Sequence, residues 1–100
     1  MLHTINKSPF ERNNMDSCFN HAVSGSAILF YEDGVYAALK GTAVSDRVAA
    51  KAKDLKVCVL GEDLTARGMS HDQVLDGVKV VDYGGFVDLA ADYGTVQAWA

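Results

Sequence analysis

"SGSAILFYEDGVYAALKGT", residues 24–42, is the stretch whose reading decides the fold. From Ala27 to Tyr31 every residue is apolar or aromatic. A strand with one wet face alternates apolar and polar residues. A run without alternation is buried on both faces, as in a parallel sheet covered by helices. Ser24-Gly25-Ser26 ends whatever precedes it, and Glu32-Asp33-Gly34 turns the chain after it. The residues that follow, to Thr42, read as a short helical run. The pattern returns at 56–68, "KVCVLGEDLTARG". An apolar strand runs into Glu62-Asp63, and a short helix is closed by Gly68.

The flanking segments fit the same scheme. "MLHTIN" alternates and predicts a strand over residues 1–6. "SPFE" offers Ser8 as an N-cap, Pro9 at the first helical position and Glu11 to close a capping box. It predicts a helix from there to about Val23, with Met15, Cys18, Phe19, Ala22 and Val23 on one apolar stripe. "SDRVAAKAKDL" predicts a helix with Ser45 as its cap. "GVKVVDY" predicts a fourth strand and "GGFVDLAADYG" a helix, and "TVQAWA" is a tail able to add an edge strand. Strands alternating with helices imply α/β architecture: a small three-layer sandwich on a mostly parallel sheet of four to five strands. Residues 1–100 are expected to form one domain.

A chain this short buries only roughly 60–65% of the surface its unfolded form exposes. Yet 49% of its residues are hydrophobic. That excess predicts an oligomer, since large apolar patches are rarely left in water. The net charge is −4, with no stretch of Lys and Arg interleaved with aromatics. Direct binding to a phosphate backbone is not expected. The apolar runs are too short for a bilayer, and no signal peptide opens the chain. A cytoplasmic location is expected, with no membrane partner. The two cysteines have neither CxxC nor zinc spacing, and a structural disulfide between them is not expected there.

Cys18 is the one interesting thiol. His21, three residues on, shares its helical face and could favour the nucleophilic thiolate. Against this, a position near a helix C-terminus disfavours an anion, and an apolar stripe is where cysteine packs as a small hydrophobe. Cys58, between valines, reads as core filler. His3, His21 and His71 have no metal-ligand spacing. Glu32-Asp33 and Glu62-Asp63 lie just after buried strands, where α/β sites are built, although turns and caps favour the same residues. "DYGGF", residues 82–86, has the glycines of a phosphate loop without GxGxxG spacing or a P-loop lysine. No metal and no cofactor is expected.

The landmarks in combination, "MLHTINKSPF", "LFYEDGVYAAL", "VLGEDLTARGM" and "VVDYGGFVDLAADYGTVQAWA", resemble the DsrH/TusB family along essentially the whole chain. The resemblance implies a DsrE/F/H-like fold and a cytoplasmic sulfur-relay complex handling persulfide sulfur. It implies two companions, DsrE/TusD-like and DsrF/TusC-like, in a heterohexamer with two copies of each subunit. The acceptor would be a DsrC/TusE-like protein, and the main sulfur-carrying cysteine would lie in the DsrE/TusD-type companion. "ERNNMDSCFN" resembles DsrH chains of sulfur oxidisers, which carry a cysteine in this helix. It favours dissimilatory sulfur oxidation over 2-thiolation of the tRNA wobble uridine. Cys18 is then a candidate persulfide carrier with His21 as its activator. The rival expectation is a purely structural, non-catalytic subunit.

Overall fold

The computed structural model describes all 100 residues. Five strands form one sheet: β1 (Leu2–Ile5), β2 (Ala27–Phe30), β3 (Lys56–Leu60), β4 (Val78–Val81) and β5 (Val96–Trp99). Their order is β4-β3-β2-β1-β5, and every pairing is parallel. The sheet is thus wholly parallel, and the tail contributes its fifth strand beside the first. β1 and β2 are buried along their whole length, as is β3 after Lys56. This is the physical correlate of the unbroken apolar run in β2 and β3: both of their faces are covered.

The helices α1 (Asn14–His21), α2 (Ser45–Asp54) and α3 (Gly61–Ala66), with the 3₁₀ segment Glu32–Ala38, lie on one face. There Met15, Cys18, Phe19, Val48 and Leu64 meet Ile5, Ile28, Phe30, Val57, Val59 and Val78. The fourth helix, α4 (Tyr83–Tyr93), is alone on the other face. Its Leu89, backed by Phe86, Ala90 and Tyr93, covers Leu2, Ala27, Leu29 and Cys58. The handedness of parallel crossovers explains the division. Steps from β1 to β4 run in one direction across the sheet, while the step from β4 to β5 runs back. A right-handed connection must therefore use the opposite face.

Local signals were displaced in three places. The first helix begins at Asn14, not at Ser8, and ends at His21. Ser8 Oγ accepts from Phe10 N at 3.2 Å, and its carbonyl accepts from Glu11 N and Arg12 N. The capping residues thus close a single turn. Arg12 and Asn13 separate that turn from the helix, and Asn13, a residue type poor in helix interiors because its amide competes for backbone groups, stands at the N-cap position. Val23 lies beyond the helix and is exposed. Ser45 is the first residue of α2 rather than its cap. Its hydroxyl donates to Leu39 O at 2.8 Å and accepts from Thr42 N at 2.9 Å, so it ties the preceding loop. The helical run after Phe30 is a 3₁₀ segment that already starts at Glu32.

Candidate functional site

The carboxyl ends of the strands carry most of the polar chemistry. Glu32, separated from β2 by Tyr31, is the one non-glycine residue with positive φ, at 48°. That conformation is costly for a side chain with a Cβ. It is held by Asp63, whose Oδ2 accepts from Glu32 N at 2.6 Å. Arg67, at the end of α3, donates twice to Asp33 Oδ1, at 3.1 and 2.9 Å, and once to Asp63 O at 3.3 Å. Asp63 and Arg67 of the α3 segment therefore clip the 3₁₀ segment to it, through Glu32 N and Asp33. Beneath them, Gly34 lies so close to β1 that a Cβ there would clash with Ile5 O.

Between the ends of β3 and β4 the connections leave for opposite faces, α3 to one and α4 to the other. Crevices at such a switch are where parallel α/β sheets bind ligands. Here a crevice of about 700 Å³ is lined by Gly61, Glu62, Thr65, His71, Asp82 and Gly85 with parts of β4. Its chemistry argues against a phosphate. Asp82 Oδ1 accepts from Gly85 N at 2.7 Å and Glu62 Oε2 from Tyr83 N at 3.1 Å. Two carboxylates thus occupy backbone donors that a phosphate loop would offer, and Lys79 of β4 stands on the same lining. Gly85 is there for packing, because a Cβ would lie 2.9 Å from Val81 Cβ.

Cys18 takes part in none of these polar contacts. It is fully enclosed in the core beneath α1. Burial pushes its thiol up to about 12, with Lys51 pulling weakly the other way. Lys51 extends from α2 over the Phe19 ring, 5.7 Å from its centroid. No hydrogen bond joins Cys18 to His21. The His21 ring donates through Nδ1 to Ser17 O at 2.8 Å and lies 5.5 Å from the Trp99 ring. Trp99 in turn donates from Nε1 to His3 Nδ1 at 3.1 Å. The structure therefore gathers His21, Trp99 and His3, with Cys18 behind them in the core. Cys58 is likewise enclosed, and burial raises its thiol. No group of three or more His, Cys, Asp or Glu residues is placed to hold a metal ion.

Sequence reasoning missed Trp99 and Arg67. The periodic signal available for Trp99 was its place in a tail strand, which says nothing of a partner 96 residues away. Arg67 stood in the quoted "DLTARG" turn, but its target Asp33 is 34 residues upstream.

A small parallel sheet with three helices on one face and one on the other is shared with solved structures of low sequence identity. The protein of unknown function MTH1491 from Methanobacterium thermoautotrophicum superposes with a TM-score of 0.74 at 20% identity, covering 97% of this chain and 96% of that one. The ychN protein of E. coli gives 0.78 at 13% identity, covering 97% of each chain. The fold is the DsrE/F/H-like one implied by the resemblance. The family model described as DsrH like protein matches residues 7–96. Protein TusB of Pectobacterium parmentieri is 36% identical over 99 residues, covering 99% of this chain and all of the relative. Protein TusB of Escherichia coli (strain K12) is 31% identical over 99 residues, with the same coverage. The chain belongs to the DsrH/TusB family. None of its helices is long and apolar enough to cross a membrane.

Proposed function

We propose that this chain is a subunit of a cytoplasmic sulfur-relay complex, docked to DsrE/F-type companions, and that it helps assemble the relay rather than carrying sulfur itself. Full-length family membership supports the relay. The enclosure of Cys18 is the observation that carries the second half. Persulfide transfer needs an accessible, partly ionised thiol, and a buried thiol raised to about 12 offers neither. The carrier role for Cys18, with His21 as activator, would require α1 to open in the assembled complex. Exposed apolar side chains at Phe10, Tyr83, Val87 and Val96 support docking to companions. The heterohexamer of two copies each, and the DsrC/TusE-like acceptor, follow from the family resemblance.

Two metabolic settings compete. The curated relatives named TusB, 31–36% identical over the full chain, support tRNA wobble-uridine thiolation at least as well as sulfur oxidation. The cysteine in α1 is the feature on the side of sulfur oxidation.

The test uses the complex assembled with both companions and loaded from a persulfide donor. Each subunit is weighed intact, for wild type and Cys18→Ser. Extra sulfur on a companion only, unchanged by the substitution, is expected. Extra sulfur on this chain that disappears in Cys18→Ser overturns the non-carrying role. Loss of wobble-uridine 2-thiolation on deleting the gene would place the relay in tRNA modification, and unchanged thiolation would place it elsewhere.

A further inference from the structure

β5 is the most weakly seated strand of the sheet. Its neighbour on one side is β1, its other edge is free, and Val96, Gln97 and Ala98 are exposed. Only Trp99 reaches inward, packing against the main core. The indole N–H of Trp99 donates to Nδ1 of His3, a residue that is itself buried on β1. Nδ1 can accept only in the neutral ring whose proton sits on Nε2. In the imidazolium both nitrogens are donors, and the N–H of Trp99 then faces an N–H.

We propose that the His3–Trp99 hydrogen bond is a proton-sensitive latch on β5: closed while His3 is neutral, and opened when His3 is protonated. The groups facing His3 fit this role. α1 presents His21, whose ring lies against the other ring of the cluster, Trp99. β5 presents Gln97 in register and Trp99, and β2 presents Ile28. The Met1 amino group adds positive charge nearby. No carboxylate hydrogen-bonds His3, and it takes part in neither ion pair. Burial, then the Met1 amino group and His21, lower the His3 pKa from 6.5. The sign follows. The unfolded or undocked state takes up the proton first as pH falls, so the docked strand is favoured above 6.5 and loses its advantage below it.

The experiment follows hydrogen exchange at the amides of residues 96–99 of the full chain between pH 7.5 and 5, corrected for intrinsic rates. Fluorescence of Trp99, the only tryptophan, is read in parallel. Protection of β5 is expected to fall about tenfold across a transition centred below 6.5, while β2 and β3 stay protected. His3→Gln supplies an acceptor that does not titrate, and is expected to keep β5 protected throughout. Trp99→Phe keeps an aromatic ring without the donor. It is expected to leave β5 poorly protected at pH 7.5 and insensitive to pH, which preserves the test if His3→Gln fails to fold. His21→Asn is expected to retain the transition. Protection that does not change with pH in the wild type overturns the latch, as does a transition lost in His21→Asn but kept in His3→Gln.

Discussion

Alkylation of the native chain measures how far the enclosure of Cys18 silences it. Its thiol stands at about 12 against an ordinary 9.0, a difference of 3 units, so its thiolate fraction at neutral pH is about a thousandfold lower. The more basic thiolate is intrinsically a better nucleophile, and a Brønsted slope near 0.45 restores about twentyfold. Ionisation alone therefore leaves Cys18 about fiftyfold slower than a free cysteine. Steric exclusion adds to this, because the side chain is fully buried. The assay is iodoacetamide labelling at pH 7.5, with the Cys18 and Cys58 peptides quantified separately by mass, native and in guanidinium. Both cysteines should label at free-thiol rates once unfolded; in the native chain Cys18 should label at least about fiftyfold slower, and Cys58, also enclosed with its thiol raised by burial, should be slowed as well. Native labelling of Cys18 within about fivefold of a free thiol would refute the reasoning, and with it the non-carrying role.

Three further outcomes follow from the same geometry. Gly34→Ala forces a Cβ against Ile5 O, a backbone atom that cannot swing away. A loss at or above the usual ~1–3 kcal/mol for overpacking is expected, read as a lowered guanidinium midpoint with unchanged slope. Asp82→Ala removes the side chain that accepts from Gly85 N at the start of α4. It should cost about 1 kcal/mol, or roughly 4–8 °C in Tm by calorimetry. Arg67→Met cuts the clip to Asp33, whose side chain is largely exposed, so global stability should fall by less than about 1 kcal/mol. Amide exchange across Glu32–Val35 should nevertheless quicken, because Asp63 alone then holds the strained turn at Glu32.

The central strands were legible because their signal is local and one-dimensional. "AILF" and "VCVL" have no polar face, so burial on both sides follows from the residues themselves. The burial side of α1 was legible for the same reason, in the spacing of Met15, Cys18 and Phe19. The start of α1 was not, because Ser8-Pro9-Phe10-Glu11 satisfies the rules for a helix entrance and for an isolated turn equally well. The chain takes the isolated turn, with Glu11 N and Arg12 N on Ser8 O, and the helix begins only after Asn13. At the candidate site, the positions of Glu32-Asp33 and Glu62-Asp63 were readable, but their roles were not. Those depend on Arg67 and on α4 amides that only the folded sheet brings near. Whether the His21 ring would point at Cys18 or at Trp99 depended on β5 lying beside β1, a pairing no periodicity encodes.

The place of β5 also bears on how the chain folds. Leu2 pairs on one side with Ala27, 27 − 2 = 25 residues away, and on the other with Val96, 96 − 2 = 94 residues away. Closing the second pairing demands ordering nearly the whole chain first, and contacts of such long sequence separation slow folding. β1 must therefore form with a bare edge that stays unpaired until residues 96–99 arrive. During synthesis that edge is open to any other extended segment in the cell, so the price of a wholly parallel sheet is a window of vulnerability to mispairing that only the last strand closes.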